Sequence, residues 1–462
     1  MHTKKRKTYF LHVYGCQMNV SDAERMASLL ERLGFEKTDR EQEADLLGVV
    51  ACSVRQAPID RIYGQANKWK RMKQERGTVT MLSGCVLDHD KPTMAKIFDI
   101  MFPINNLGRM PSLLSEHFGS GVMDANPATN EYCDIPPSYN SSFRAFVPIS
   151  SGCNKFCTYC AVPYTRGGEI SRSPESILDE IRHLVDHGYK EVTLLGQNVN
   201  SYGLDFEGVS LNLPNRQVLK YRKNALGELE VHKRPVHSAM GFPALLRAIN
   251  DISGDFWVRF MTSHPYDMSD ELVETVAAYN KLTHAIHLPA QAGSNETLRR
   301  MNRLYTIEHY RERLAAVRRA MPDAYVTTDI IVGFCGEMLE DFAATTELME
   351  EAEYDMAFIS PYSTRQGTAA SRMRDDVPKE EKERRFNVLN DVLARTALRH
   401  NTARIGTTDR MLVEEYRKGI NIGRLKNGRK ANFRGSDRMG NFVDVRITDA
   451  TPWHVVVELV NT

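Results

Sequence analysis

Cys153, Cys157 and Cys160 fall within eight positions of SSGCNKFCTYCAVPYTRGGE, and no other feature of the sequence restricts the chain so tightly. Structural zinc takes four ligands, commonly as two CxxC pairs, and no fourth cysteine stands close by. Disulfides between such near neighbours need an oxidising compartment and an even count. Three thiolates suit another arrangement, a four-iron cluster with one iron left open to a small molecule. Zinc with a remote fourth ligand, and thiols with no shared role, are the alternatives that spacing alone leaves open.

The compartment bears on this choice. No stretch reaches the roughly 18 uninterrupted apolar residues of a membrane span. The basic start MHTKKRKTYFLHV lacks the apolar core and small-residue cleavage site of a signal peptide. A cytoplasmic address is expected, where the eight cysteines of the chain are metal ligands or free thiols rather than disulfides.

At 462 residues the chain is expected to hold about two to four domains. Its first region alternates strands and helices. TYFLHVYGC reads as a strand and SDAERMASLLERLGF as a helix, with Ser21 and Glu24 as a capping box. Met26, Leu29, Leu30 and Leu33 form its apolar stripe, and Gly34 stops it. ADLLGVVAC and VTMLSGC read as further strands, with a basic helix from Ala57 to Gln74 between them. Cys16, Cys52 and Cys85 each fall at the C-terminal end of such a strand. In a parallel α/β sheet those ends line one crevice, so these distant cysteines are expected to meet as a second set of thiols.

From Phe143 to Arg374 a β-then-α rhythm runs through FRAFVPIS, EVTLLG, WVRFMT, HAIHLPA, AYVTTDIIVG and MAFISPY. Six units imply a parallel, barrel-like sheet short of the usual eight, with chemistry in the loops after the strands. The cysteine motif follows the first strand. The helix SPESILDEIRHLVDHG carries Pro174 in its first turn, Ile177, Ile181 and Leu184 on one face, and Gly188 at its end. Leu204 to Gly241, polar and basic in the middle, breaks the rhythm as an insertion.

After a charged helix behind Pro378 come short β runs separated by Gly and Asn-Gly turns: RMLVEEY, INIGRLK, KANFR, NFVDVRITDA and WHVVVELV. This is the pattern of a small all-β module. Net charge over the chain is only +1, so nucleic-acid binding would have to come from a local patch. Between Arg417 and Arg438 eight Lys or Arg accompany one acid. Arg424, Lys426, Arg429, Lys430 and Arg434 are the candidate phosphate contacts; a solvated charged surface is the plainer reading of the same run. The expected fold class is α/β: a Rossmann-like N-terminal domain (8–125), a central partial (β/α)6 barrel (143–375), a linking helix (376–400) and a small all-β barrel (401–462).

CxxxCxxC after the first strand of a six-unit β/α barrel resembles the radical S-adenosylmethionine superfamily. The likeness extends along the chain. YGCQMNVSDAERM, ACSVR and SGC resemble the N-terminal domain of the methylthiotransferases, and GCNKFCTYCAVPYTRGGEISRSPE resembles their radical domain. LLGQNVNSYG, TSHP, HLPAQAGSNETLRRMNRLYT, DIIVGF and YSTRQGTAA match the same family in order, and the C-terminal module resembles its TRAM domain. Gln17-Met18-Asn19 and CTYCAVPYTRG are similar to the branch acting on isopentenyl-type adenosines beside the tRNA anticodon. Other branches act on threonylcarbamoyl-adenosine or on a ribosomal-protein aspartate.

The resemblance implies two 4Fe-4S clusters, a radical one on Cys153, Cys157 and Cys160 and an auxiliary one on Cys16, Cys52 and Cys85. It implies S-adenosylmethionine in two roles, methyl donor and source of a 5′-deoxyadenosyl radical. Gly196, Gln197 and Ser263, after barrel strands, are its candidate contacts. The activity implied is methylthiolation of carbon 2 of N6-dimethylallyladenosine in tRNA. That C–H bond has no acidic proton, so acid–base catalysis, worth about 10²–10⁴-fold, cannot open it, whereas a radical can. Implied partners are the tRNA anticodon stem-loop, whose target base must be unstacked into the pocket, and a flavodoxin- or ferredoxin-like electron donor. An RNA-binding protein with structural clusters is the rival from another class, and two triads each one ligand short speak against it.

Cys133 and Cys335 stand outside both sets, Cys335 as a small residue in a turn, and His264 and His287 read equally as packing histidines. Val50-Ala51 before Cys52, and Val86-Leu87-Asp88 after Cys85, depart from the family pattern. The departure implies that polar groups able to hydrogen-bond the auxiliary sulfurs are missing.

Overall fold

The structure is a computed structural model and describes residues 6–53, 56–119, 132, 135–209, 236 and 238–460. Cys133 and most of the Leu204–Gly241 insertion lie outside the described residues.

Strands β1 (Thr8–Tyr14), β2 (Glu36–Lys37), β3 (Leu46–Cys52), β4 (Val79–Cys85) and β5 (Ile100–Met101) form a parallel sheet in the order β2-β1-β3-β4-β5. Every residue of the central β3 is buried, as a strand covered on both faces requires. Leu46 and Val50 pack with Met26, Leu29 and Leu30 of α1 (Gln17–Arg32). Leu47 and Val49 pack with Ile59, Ile62 and Trp69 of α2 (Gln56–Arg76). The period-two alternation of one strand thus seats a helix on each face, the doubly wound arrangement. Short helices α3 (Lys91–Met94) and α4 (Met110–Phe118) complete this part.

Helix α1 starts earlier than the Ser21/Glu24 pattern implies. Cys16 is its N-cap, and the Cys16 N–H donates to Asn19 Oδ1 at 3.1 Å. Ser21 and Glu24 are buried inside the helix, where Glu24 accepts the Asn140 N–H at 3.0 Å. The local capping signal lost to a tertiary demand: α1 is covered both by its own sheet and by the first strand of the next domain, so its polar residues serve contacts there.

That strand is β6 (Arg144–Pro148), followed by a hairpin of β7 (Ser150–Ser151) and β8 (Ile170–Ser171) across the cysteine loop and the short helix α5 (Val162–Arg166). Then come α6 (Pro174–Asp186), β9 (Glu191–Leu195), α7 (Phe242–Asn250), β10 (Trp257–Phe260), α8 (Asp270–Ala278), β11 (Ala285–His287), α9 (Asn295–Arg300), α10 (Ile307–Ala320), β12 (Tyr325–Val332), α11 (Leu339–Ala352) and β13 (Met356–Pro361). Strands β6, β9 and β10 pair in parallel, as do β11, β12 and β13, and an isolated parallel bridge pairs Val258 of β10 with Leu282, just before β11. Six parallel strands in chain order make the partial barrel. Along β12, Val326, Thr328, Ile330 and Val332 are buried while Thr327, Asp329 and Ile331 are half-buried. The alternation leaves an inner face that is open rather than packed. Helix α12 (Lys379–Thr402) is part of the shell, since Leu389, Val392 and Leu393 belong to the barrel core.

The C-terminal module is a closed barrel ordered β14-β15-β16-β18-β17, from β14 (Thr408–Arg417), β15 (Ile420–Leu425), β16 (Lys430–Arg434), β17 (Phe442–Ala450) and β18 (Val455–Leu459). Its small core centres on Met411, Leu425, Phe433, Val445 and Val457. It is seated on the N-terminal ends of the large barrel's strands. Arg144, Glu191 and Asp355, at or beside the starts of β6, β9 and β13, reach its ion pairs, and Trp257 at the start of β10 packs against Phe442, ring centroids 4.5 Å apart and tilted by 52°.

Candidate active site

Parallel register places Cys52 and Cys85 side by side as the last residues of β3 and β4. Cys16 follows β1 at the start of α1. Cys52 hydrogen-bonds Cys85, and Cys16 lies within electrostatic reach of Cys85, so the fold brings the three thiols to one sheet edge. Gly84 holds φ +105°, and a Cβ there would stand 2.3 Å from the Ala51 carbonyl oxygen. Only glycine lets β4 close on β3 just before Cys85. Desolvation of the sulfur pushes the Cys16 thiol up, although the residue as a whole is exposed. Cys85 goes the other way, to about 6, through the Cys52 hydrogen bond first and then, against burial, the Arg166 guanidinium.

Arg166 comes from the other thiol set, at the end of α5. Its Nε–H donates to Cys85 Sγ at 2.9 Å, and its Nη1 and Nη2 donate to Asp22 at 3.3 and 2.5 Å. Both side chains are almost fully buried. The hydrogen-bonding group that the sequence around Cys85 lacks is therefore supplied from elsewhere in the chain. Arg365, after β13, donates from Nη1 to Gln56 Oε1 at 2.5 Å; its buried Nη2 has no partner, and Cys52 lies within its electrostatic reach.

Cys153, Cys157 and Cys160 occupy the loop after β6 and β7. Gly152 at φ +83° makes the loop possible, because a Cβ there would stand 2.0 Å from the Gly168 carbonyl oxygen. Burial pushes the Cys153 thiol well up and the Cys160 thiol to about 12. This set also has its guanidinium: Arg303 donates from Nη1 to Cys157 Sγ at 3.2 Å, and from Nε to the Tyr305 hydroxyl at 3.0 Å. Phe156, Thr262 and Gln291 hold φ of 49°, 68° and 69° around this mouth. Left-handed backbone at non-glycine residues is strained, and these three stand at the cysteine end of the barrel, with Glu353 at the other end.

The same end carries buried polar atoms without a protein partner: Ser150 Oγ, Ser151 Oγ, Asn198 Oδ1, both amide atoms of Asn200, and His264 Nε2. Since His264 Nδ1 accepts from the Tyr266 N–H at 3.3 Å, Nε2 carries the proton and is an unused donor. Nearby, burial raises the Glu169 carboxyl to about 7, against the pull of Ser201 and Lys155. Unspent polar atoms and soft thiols in threes suit a polar, metal-chelating ligand beside an iron–sulfur cluster. Among the described residues no three His, Cys, Asp or Glu side chains converge as they would on one metal ion.

Gly196 follows β9, and a Cβ there would meet Ser150 Oγ at 2.5 Å. Gln197 Oε1 accepts the Gly152 N–H at 2.5 Å and so braces the cysteine loop. Ser263 donates to the His287 carbonyl at 2.6 Å. His287 sits between Thr327 at 2.8 Å and Asp329 at 3.3 Å, and Cys335 is buried in the loop after β12.

Two of the candidate phosphate contacts on the basic face are engaged in ion pairs. Arg424 is spent on Glu191 at 2.9 Å and Glu414 at 2.5 Å. Arg429, 3% exposed, is spent on Asp355 and the Asn401 side chain, each at 2.5 Å. Both guanidiniums fasten the small barrel to the large one. Lys426 is half-buried, and burial lowers its pKa. Lys430 and Arg434 are exposed, as are Arg417, Lys418 and Arg438.

Arg166, Asp22 and Arg303 were not singled out from the sequence. Asp22 had a signal: it stands four before Met26, on the apolar stripe of α1, where a carboxylate demands a buried cation. Which cation it takes is a matter of tertiary structure.

Family profiles match in three stretches: the radical SAM superfamily over residues 147–349, the uncharacterized protein family UPF0004 over 8–102, and a TRAM domain over 403–456. A tRNA-2-methylthio-N(6)-dimethylallyladenosine synthase of Clostridium botulinum is 37% identical over 97% of this chain and 96% of its own. One of Thermoanaerobacter pseudethanolicus is 37% identical over 99% of this chain and 93% of its own. Among solved structures, the radical S-adenosylmethionine methyltransferase TsrM of Kitasatospora setae, with tryptophan substrate and a SAM analogue bound, superposes with a TM-score of 0.52 at 12% identity, over 77% of this chain and 73% of that one. At that identity the likeness concerns the fold. Identity sustained over nearly the whole length settles the family: the chain belongs to the tRNA-2-methylthio-N(6)-dimethylallyladenosine synthases of the radical SAM superfamily.

Proposed function

We infer that the protein methylthiolates carbon 2 of N6-dimethylallyladenosine in tRNA, with S-adenosylmethionine and two 4Fe-4S clusters as cofactors. The observation that carries this reading is the identity to the synthases along both cysteine-bearing domains. Cys153, Cys157 and Cys160 would hold the radical cluster; Cys16, Cys52 and Cys85 would hold the auxiliary one. When bound, these groups supply the radical that opens an unactivated C–H bond and the sulfur that replaces the hydrogen.

The chain's own part is to bind, orient and exclude water. Gly152 and Gln197 shape the radical loop. Gly196, with the unpartnered Ser150, Asn198 and Asn200 atoms, offers the nucleotide cofactor a polar wall. The open inner face of the barrel, with Phe358 45% exposed beside His287, suits an unstacked base. Lys430 and Arg434, with Arg417, Lys418 and Arg438, are the phosphate contacts available on the small barrel. The substrate region is the anticodon stem-loop, the electron donor is flavodoxin- or ferredoxin-like, and the compartment is the cytoplasm. Among the described residues no helix is long and apolar enough to cross a membrane. The functional division of the chain is 8–125, 143–375, 376–400 and 401–462.

Mass spectrometry of tRNA nucleosides from cells with and without the gene tests the reading. The 2-methylthio-dimethylallyl nucleoside should vanish on deletion, its precursor without the methylthio group should accumulate, and the intact gene should restore the product where a Cys153→Ala copy does not. An unchanged nucleoside profile would refute the activity.

A further inference from the structure

Arg166 is spoken for twice, and only one of its partners is needed to satisfy its charge. The pair with Asp22 is bidentate through Nη1 and Nη2, and both side chains are at most 1% exposed. Asp22 is itself held by the Tyr132 hydroxyl at 2.5 Å and the Asn19 amide at 3.1 Å, which fixes the plane of the guanidinium. That plane leaves Nε–H aimed at Cys85 Sγ, 2.9 Å away. The backbone is pinned too, since the Asn105 amide donates to the Arg166 carbonyl at 2.7 Å.

The position of Arg166 in the chain gives the contact its meaning. Helix α5, Val162–Arg166, starts two residues after Cys160 and ends with this side chain on Cys85. A five-residue helix therefore connects a thiol of one set to the backbone beside the other.

We propose that Arg166 is a positioning residue for the reaction: it fixes the separation of the two thiol sets and, through its charge-assisted hydrogen bond to Cys85, raises the reduction potential of the auxiliary cluster. The inference rests on the reading that Cys16, Cys52 and Cys85 hold such a cluster. Its physics is general. A donor on a ligating sulfur, with a positive charge behind it, stabilises the more negative, reduced cluster. Burial magnifies the effect because water does not screen it. A salt bridge serving only to glue two domains would not require the Nε edge to meet a thiol.

The test uses the full-length chain with Cys153, Cys157 and Cys160 all changed to Ala, so that one cluster site is left. That parent is reconstituted anaerobically, its iron is counted, and its potential is read by redox titration followed by electron paramagnetic resonance. Arg166→Met removes donor and charge; Arg166→Lys keeps a charge but cannot both pair with Asp22 and reach Cys85. Both variants should shift the midpoint to more negative potential, Met further than Lys. Either variant holding iron at the parental potential overturns the proposal. If Met does not load iron, Lys decides by the same criterion, and if neither loads iron Arg166 is a structural residue and the proposal falls. A parent that itself takes up no iron refutes the underlying cluster assignment instead.

Discussion

Gly152 and Gly84 each stand directly before a cysteine and each hold a backbone no other residue adopts cheaply, at φ +83° and +105°. An alanine at 152 must either push away the Gly168 carbonyl or unwind the loop, costing on the order of 1–3 kcal/mol locally. Gly152→Ala should therefore lower the iron held by the radical set while leaving the auxiliary set filled, as iron counts before and after the Cys16, Cys52 and Cys85 substitutions would reveal. His400 on α12 makes a separate forecast. It faces Asp355 at 3.2 Å and Glu353 at 3.3 Å, with Arg399 also on Glu353, and Arg318 and Arg429 also on Asp355. The Asp355 hydrogen bond, against burial, raises its pKa above the usual histidine value. A raised histidine contributes its full stability below about pH 6.5, and that contribution is lost as pH climbs through the folded value. The melting temperature should fall from pH 6.5 to 8, and His400→Gln should flatten that slope. At this scale the sequence displays the glycines and the odd carboxylate on a helix stripe, but not the partner each one finds.

Strand alternation explains which basic residues are free and which are not. In β16 the apolar Ala431 and Phe433 face the small core, so Lys430 and Arg434 point out, and the pattern can be read from KANFR alone. In β15, Asn421, Gly423 and Leu425 are buried and Arg424 points away from the same core. It does so into the seam with the large barrel, and no periodicity within one strand reveals what covers its outer face. Two sets of substitutions separate these roles. Lys430→Glu with Arg434→Glu should weaken tRNA binding and reduce its salt slope by about two, at unchanged melting temperature. Arg429→Met leaves Asp355 buried without that partner and should cost about 3–5 kcal/mol of stability, seen as a lower melting temperature. Helix α1 offers the same lesson: its stripe was legible and its starting residue was not, because Glu24 and Ser21 answer to a neighbouring domain.

The whole molecule was the most legible level, since domain order follows from β/α rhythm and from strands ending in cysteine, each a local pattern repeated many times. What escaped the sequence is how the parts are joined: Arg166 between the thiol sets, and the arginine pairs beneath the barrel. Iron counting provides the forecast that belongs here. The anaerobically reconstituted chain should hold about eight irons, and substitution of either cysteine triad should remove about four.

The β-module is seated at the N-terminal rim of the large barrel, and the cysteines lie at the opposite rim. Barrel strands of about five residues, at roughly 3.3 Å each, put some 17 Å between the two rims measured along a strand. On the reading that Lys430 and Arg434 hold RNA phosphates, the nucleotides between them and the bound adenosine have that span to cover. On that same reading the two rims act as a caliper on a length of ribose–phosphate chain.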